Sequence, residues 1–275
     1  MYWQALAVPA ALIVALLSGC SHEPTRQPRA PGKEPALRLM TYNVNFGIPG
    51  DGPTLAAIEL GNADVVFLQE VNTAWERALR ARFAGMYPHM AFYPRGGAGG
   101  LAILSRSPIG GLELVAPAGD GWFPAVRLVV ASPIGKVQAL VVHLRPPVSD
   151  GGSFVAGHFQ APAIHKQEIE RFCQTLDRSL PTIVVGDFNE EDDGSAIVHL
   201  VGPGHGHHHQ MKNGLPQFAP ERPTWHWPTS VGTFERQLDH IVYDLRLEPL
   251  NVEVLNAGNS DHLPVVGVFV LARRG

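Results

Sequence analysis

Six short stretches of this chain carry side chains that can do chemistry together. They are Thr41-Tyr42-Asn43-Val44-Asn45, Leu68-Gln69-Glu70-Val71, Val141-Val142-His143-Leu144, Val185-Gly186-Asp187-Phe188-Asn189, Gln237-Leu238-Asp239-His240-Ile241 and Ser260-Asp261-His262-Leu263-Pro264. Glu70 and Asp261 are hard oxygen donors and Asn43 is a neutral one, a set that suits Mg²⁺ or Mn²⁺ with water positions left open for a phosphate. His143 and His262 can hold a proton or hydrogen-bond a phosphate oxygen near neutral pH, and Asp239 can orient one of them. Asp187 and Asn189 stand two apart at a strand exit and so can face one site. A carboxylate to align water, an amide for an oxyanion, two histidines and a divalent cation make a kit for phosphoester hydrolysis. Taken singly each residue has a plainer reading: a histidine in an apolar run is a hydrogen-bonded structural group, an Asn or Asp at a strand end is a turn former, and Glu70 favours a helix start. The combination is what points to chemistry.

In this order the six motifs resemble the endonuclease/exonuclease/phosphatase superfamily, whose folds are similar to deoxyribonuclease I. The resemblance runs from about Leu37 to Val270 and is most specific at Gly186-Asp187-Phe188-Asn189 and Ser260-Asp261-His262; Gly99 to Arg106, followed by Pro108-Ile109, also resembles a common strand of these proteins. It implies an α/β fold, a four-layered sandwich of two packed mixed β-sheets flanked by helices. It implies Asn43, Glu70 and Asp261 at the metal, with Glu70 the principal ligand. Asp187 would position water, Asn189 hold phosphate oxygens, His143 contact the phosphate and protonate the leaving oxygen, and His262, paired with Asp239, act as base or transition-state stabiliser.

The elements that must position these residues are short. Apolar runs at 37–43, 65–68, 100–104, 126–130, 137–144, 182–185, 241–243 and 265–271 read as strands, several buried on both faces. Helical patterns cover 54–60, 73–83 with Thr73 as cap, and 163–176. Strands interleaved irregularly with few helices suggest a mixed α/β sandwich rather than a regular βαβ alternation.

Ahead of these lies an address. Residues 1–21 carry no charged side chain, and Leu17-Ser18-Gly19-Cys20 resembles a bacterial lipoprotein signal, so residues 1–19 are read as a signal peptide and Cys20 as the lipidated anchor. An uncleaved anchor, or a start further upstream, is the alternative. Pro24, Pro28, Pro31 and Pro35 mark 20–36 as an extended, solvated tether, leaving 37–275 as a catalytic domain. This places the enzyme, as a monomer, in the cell envelope outside the cytoplasm. Cys173, spaced with Ile169, Phe172 and Leu176, reads as a buried core thiol without a disulfide partner.

Composition bounds the substrate. The net charge is −4, and four carboxylates, Glu70, Asp187, Asp239 and Asp261, belong to one pocket, so the rest of the chain is formally neutral. Attraction for phosphate must come locally, from the metal and from arginines such as Arg95, Arg106, Arg127, Arg145 and Arg222. No dense basic cluster appears, which weighs against a salt-sensitive nuclease. Nucleic acid, a phospholipid or sphingolipid headgroup, and a small phosphate ester all stay open as substrates. Trp225 and Trp227 can stack on a base or cover a lipid-like group, or simply anchor a loop. His158 and His165 read as surface or substrate-side residues, and the tract His205 to His209 as a solvated loop with a latent affinity for zinc or nickel. A non-catalytic envelope lipoprotein or a metal-sequestering one is the competing class.

Overall fold

A computed structural model describes residues 23–148, 150–152, 154–202, 210–230 and 232–273. The signal peptide, Cys20 and the tract His205 to His209 lie outside them. The strands are β1 (Leu37–Asn43), β2 (Val65–Gln69), β3 (His89–Tyr93), β4 (Leu101–Ser105), β5 (Ile109–Val115), β6 (Ala125–Ser132), β7 (Gly135–His143), β8 (Thr182–Asp187), β9 (Met211–Asn213), β10 (Trp225–Thr229), β11 (Gly232–Arg236), β12 (Asp239–Asp244), β13 (Leu247–Val254) and β14 (Val265–Leu271). The helices are α1 (Gly52–Gly61), α2 (Thr73–Phe83), α3 (Phe154–Cys173), α4 (Ser195–Val201) and α5 (Leu215–Phe218).

Two six-stranded sheets form, in the orders β13-β14-β1-β2-β4-β3 and β5-β6-β7-β8-β12-β9, with β10-β11 a separate hairpin. The neighbours β1/β2 and β7/β8 run parallel and the other pairs antiparallel, so both sheets are mixed. Apolar side chains from both inner faces, among them Leu39, Phe67, Ile103, Leu128, Val141, Val185 and Phe269, make the central core. A second cluster joins Met40, Val66 and Leu104 to Trp75, Leu79 and Phe83 of α2. A third joins Leu140, Val142 and Val184 to Ile169 and Phe172 of α3 and Ile197 of α4. The order helix, sheet, sheet, helix is the four-layered sandwich implied by the resemblance. Strands covered on both faces are why β2, β4 and β8 are uniformly apolar rather than alternating.

Several local expectations need correction. Asn72, not Thr73, caps α2: its side chain accepts from the amides of Ala74 and Trp75. Helix α3 begins well before residue 163, because Pro162 is taken into the helix instead of marking its start. Strands β3, β5, β9, β10, β11 and β13 carry polar, glycine or proline residues, and partners supplied by the sheet hold them. The proline-rich stretch is exposed but docked: the Arg26 and Arg29 amides donate to the carbonyls of Gln217 and Leu250, and Arg29 pairs with Glu248 at 2.5 Å. Cys173 is buried as expected, and burial pushes its thiol up to about 12.

Candidate active site

Parallel pairing explains why residues far apart in sequence meet. Because β1 and β2 run the same way, Asn43 and Gln69 pair in register, and Glu70 leaves the sheet beside Asn43. In the other sheet His143 ends β7 opposite Asp187, which ends β8, and Asp187 in turn faces Asp239 at the start of antiparallel β12. Strand β14 runs antiparallel to β1, so the residues just before it arrive at the same edge. The Ser260 hydroxyl donates to the Asn43 carbonyl at 2.7 Å, which brings Asp261 and His262 in. All six motifs therefore open on one cleft between the sheet edges.

The backbone there is specialised. Asn45, Glu70 and Asn189 have φ of 59°, 63° and 51°, a conformation that costs a side chain such as glutamate about 1–2 kcal/mol. Gly186 has φ 145°, and a Cβ on it would lie 1.9 Å from the Val142 carbonyl oxygen. Only glycine lets β8 approach β7 this closely one residue before Asp187.

Asp187 is the hub. It is 1% exposed, and its Oδ1 accepts from the Asn189 amide at 2.9 Å. Its Oδ2 accepts from Asn43 Nδ2 at 3.0 Å and lies 3.4 Å from His143 Nε2 and 3.6 Å from His262 Nε2. Asn43 Nδ2 also donates to Glu70 Oε1 at 3.1 Å, while its oxygen accepts the Asn45 amide. The amide thus meets the carboxylates through nitrogen, and its oxygen is turned away from Glu70, unlike the ligand set implied by the resemblance. Asn189 Nδ2 spends one hydrogen on the Leu144 carbonyl.

The two histidines differ. His143 Nδ1 lies 3.1 Å from the Ala98 carbonyl and so carries hydrogen, which leaves Nε2 facing Asp187. Its ring packs on Phe123, centroids 4.6 Å apart. His262 Nδ1 donates to Asp239 Oδ2 at 2.8 Å. Burial by itself pulls the His262 imidazole down, but the charges of Asp239 and Asp187, the hydrogen bond to Asp239 and the charge of Asp261 push it up to about 10. Asp239 is held in turn by its amide, which donates to the Thr224 hydroxyl.

Metal donors divide into two groups. Glu70 accepts from Asn43 Nδ2 and the Phe46 amide, and Asp261 from Asn45 Nδ2 and the Trp225 indole. Among the described residues these donors are all neutral, and both side chains are oxygen donors of the kind a hard cation takes. The ligating atoms of Asp187, Asp239 and His262 also lie within 4.8 Å of one another. There the short bond between His262 and Asp239 occupies one donor from each, which suits a hydrogen-bonded relay better than coordination.

Sequence reasoning missed a buried layer behind Asn189. His165, expected at the surface or facing substrate, is not at the surface, being 1% exposed, but does line the cleft. Its Nδ1 lies 2.8 Å from Glu190 Oε2 and its Nε2 2.6 Å from the Arg145 carbonyl. Both partners are acceptors, so both nitrogens carry hydrogen and the ring is an imidazolium. Burial opposes that charge, but the bond to Glu190 and its charge hold the imidazole above its ordinary value. Glu190 also caps α4, accepting from Ala196 and Ile197. The pair ties the strand-exit loop of β7 to that of β8. No local signal marks it, since His165 sits in an amphipathic helix and finds its partners only across the fold. His240 is fully buried and bonded to Asn213 and the Glu190 carbonyl, so it packs beside the site. Asn45 was visible inside the first motif, and its bond to Asp261 gives it a part there.

The model of the endonuclease/exonuclease/phosphatase family matches residues 40–262. No curated protein matches the chain in sequence. Similar solved structures include an endonuclease/exonuclease/phosphatase from Beutenbergia cavernae at 20% identity and TM-score 0.66, covering 87% of this chain and 72% of that one. The human Nocturnin catalytic domain with bound sulfate is similar at 16% identity and TM-score 0.65, covering 90% of this chain and 99% of that one. TDP2 from D. rerio, complexed with single-strand DNA product, is similar at 18% identity and TM-score 0.62, covering 85% and 98%. These likenesses show the fold, and the sequence match from the first motif to the last shows the lineage: this chain belongs to the endonuclease/exonuclease/phosphatase family, whose members hydrolyse phosphoester bonds.

Proposed function

We propose that this chain is a divalent-metal-dependent phosphoester hydrolase, using Mg²⁺ or Mn²⁺ and acting outside the cytoplasm. The observation that carries the catalytic reading is Asp187 in contact with Asn43, His143, Asn189 and His262 at the edge where two sheets meet. Asp187 aligns the attacking water, with Oδ1 pinned by the Asn189 amide. His262, oriented through Nδ1 by Asp239, presents Nε2 to the reacting phosphate. His143, oriented through the Ala98 carbonyl, presents its own Nε2 and is placed to hand a proton to the leaving oxygen. Glu70 and Asp261 would hold the cation, and Asn43 braces Glu70 against Asp187. The cation, when bound, polarises a phosphoryl oxygen and offsets charge on the leaving alkoxide. The envelope location, as a monomer on a lipidated Cys20, rests on residues 1–36 of the sequence alone.

The test is hydrolysis by the full-length protein with Mg²⁺, Mn²⁺ or chelator, on plasmid DNA, RNA, sphingomyelin and a chromogenic phosphodiester. Turnover that chelator removes and His262→Ala abolishes is the expected result. Metal binding with no turnover of any ester refutes the proposal. Labelling with a radioactive fatty acid, lost in Cys20→Ala, checks the anchor.

A further inference from the structure

The catalytic residues open into a cleft of about 820 Å³ whose walls differ from its floor. That volume suits a molecule of drug size. Away from the catalytic edge the walls are apolar: Pro146, Pro147 and Val148 on one side, Val198 of α4, and the indoles of Trp225 and Trp227 on the hairpin. The two indoles stand at 73° with centroids 5.9 Å apart, a T-shaped corner in which Trp227 is 48% exposed. Such a corner receives a flat or branched apolar group.

The charges of the lining oppose a polyanion. Beyond Glu70, Asp187 and Asp261 at the chemistry, Glu191 and Asp193 also line the cleft, as does Glu190, whose charge His165 offsets. The Arg236 side chain is the one arginine or lysine among the described lining residues, and Glu191 pairs with it at 3.5 Å. The Arg145 guanidinium is spent on the carbonyls of Asp120 and Val148 and on Asp150, and lies 4.2 Å over the Trp122 ring. Binding of a nucleic acid strand draws on lysines and arginines that neutralise successive phosphates. Here a phosphate flanking the scissile one would meet carboxylates and apolar walls.

We infer that the cleft takes an ester with a single phosphate and an uncharged apolar alcohol, an aryl group best of all, rather than a polynucleotide. The inference rests on the phosphohydrolase reading and narrows its substrate. The alcohol sits between the Pro146–Val148 loop and the Trp225/Trp227 corner, and the phosphate sits against Asn189 and the two histidines, with the water on Asp187.

Calorimetric titration of the full-length His262→Ala protein, in which turnover is abolished, with Mg²⁺ at about 0.15 M salt tests it, using diphenyl phosphate and a short thymidine oligonucleotide as probes. Diphenyl phosphate is expected to bind about tenfold or more tightly than the oligonucleotide, and Trp227→Ala to weaken it about tenfold. Val198→Asp, on an exposed helix position, is expected to weaken it as well. Tighter binding of the oligonucleotide, or an affinity for diphenyl phosphate unchanged by both substitutions, overturns the inference. Binding is read without turnover, so the affinity order stands or falls separately from the hydrolase reading, which fails only if no ester is cleaved.

Discussion

Glu168 gives the sharpest quantitative test of the layer behind the site. It is fully buried on α3, where one carboxylate oxygen accepts the Arg145 amide at 3.2 Å and the other has no hydrogen-bond partner. Gly121 packs over that second oxygen, so closely that a Cβ there would lie 2.5 Å away. Burial pushes the carboxyl up to about 7 from an ordinary 4.5, against smaller opposing effects of the Arg145 amide and the His165 and Arg145 charges. The folded state then binds a proton that the unfolded chain releases, so stability falls as pH rises from about 4.5 through about 7. The loss amounts to at most about 3 kcal/mol at pH 8 and under about 1 kcal/mol at pH 5. Glu168→Gln keeps an acceptor for Arg145 and removes the titration. It should raise the melting temperature by about 6–12 °C at pH 8, with a much smaller gain at pH 5. Thermal melts followed by circular dichroism across that range decide the matter. An equal shift at both pH values, or a variant less stable than the parent at pH 8, would refute the reasoning.

Other consequences can be measured on the same protein. Asp239→Asn should leave the fold intact and lower kcat by about 10²–10⁴, because His262 loses the charge beside Nδ1 and the amide can donate to that nitrogen and impose the wrong tautomer; unchanged kcat on the chromogenic diester would remove Asp239 from the site. His165→Leu donates to neither Glu190 nor the Arg145 carbonyl, so kcat should fall about tenfold while KM for the same substrate stays near its parent value. For His165 itself the folded imidazole is raised, so its stabilisation is present below about pH 6.5 and lost as pH climbs through the higher folded value; the pH at which nuclear magnetic resonance sees its ring deprotonate should lie above that of a free histidine. Gly186→Ala should fail to yield a native protein, as judged by cooperative melting, since the methyl group would collide with the Val142 carbonyl. Cys173 should resist thiol reagents at pH 8 until the protein is unfolded.

Most of the central strands were legible because they are buried on both faces: runs such as Val65 to Leu68 and Val137 to Leu144 have no polar alternative reading. The hairpin β10-β11 was not, since Trp225-His226-Trp227-Pro228-Thr229 is exposed or half-exposed and takes its strand form from its partner. Likewise Pro249 in β13 sits beside a register shift, which lets a proline occupy a paired strand.

Candidate residues could be picked from the sequence because Asn43, Glu70, His143, Asp187, Asn189, Asp239, Asp261 and His262 all stand at the ends of apolar runs, where polar groups survive next to a rigid sheet. The sequence also determined the core that carries them. What only the tertiary structure decided is how they face one another. Parallel pairing of β1 with β2 and of β7 with β8 brings their ends to one edge, where bonds such as Asn43 to Asp187, 144 residues apart in sequence, and His262 to Asp239 link the two sheets. The direction of the Asn43 amide, the imidazolium of His165 and the strain at Glu70 follow from those contacts. They depend on atoms brought together from distant segments, and no spacing along the chain encodes a distance between strands of different sheets.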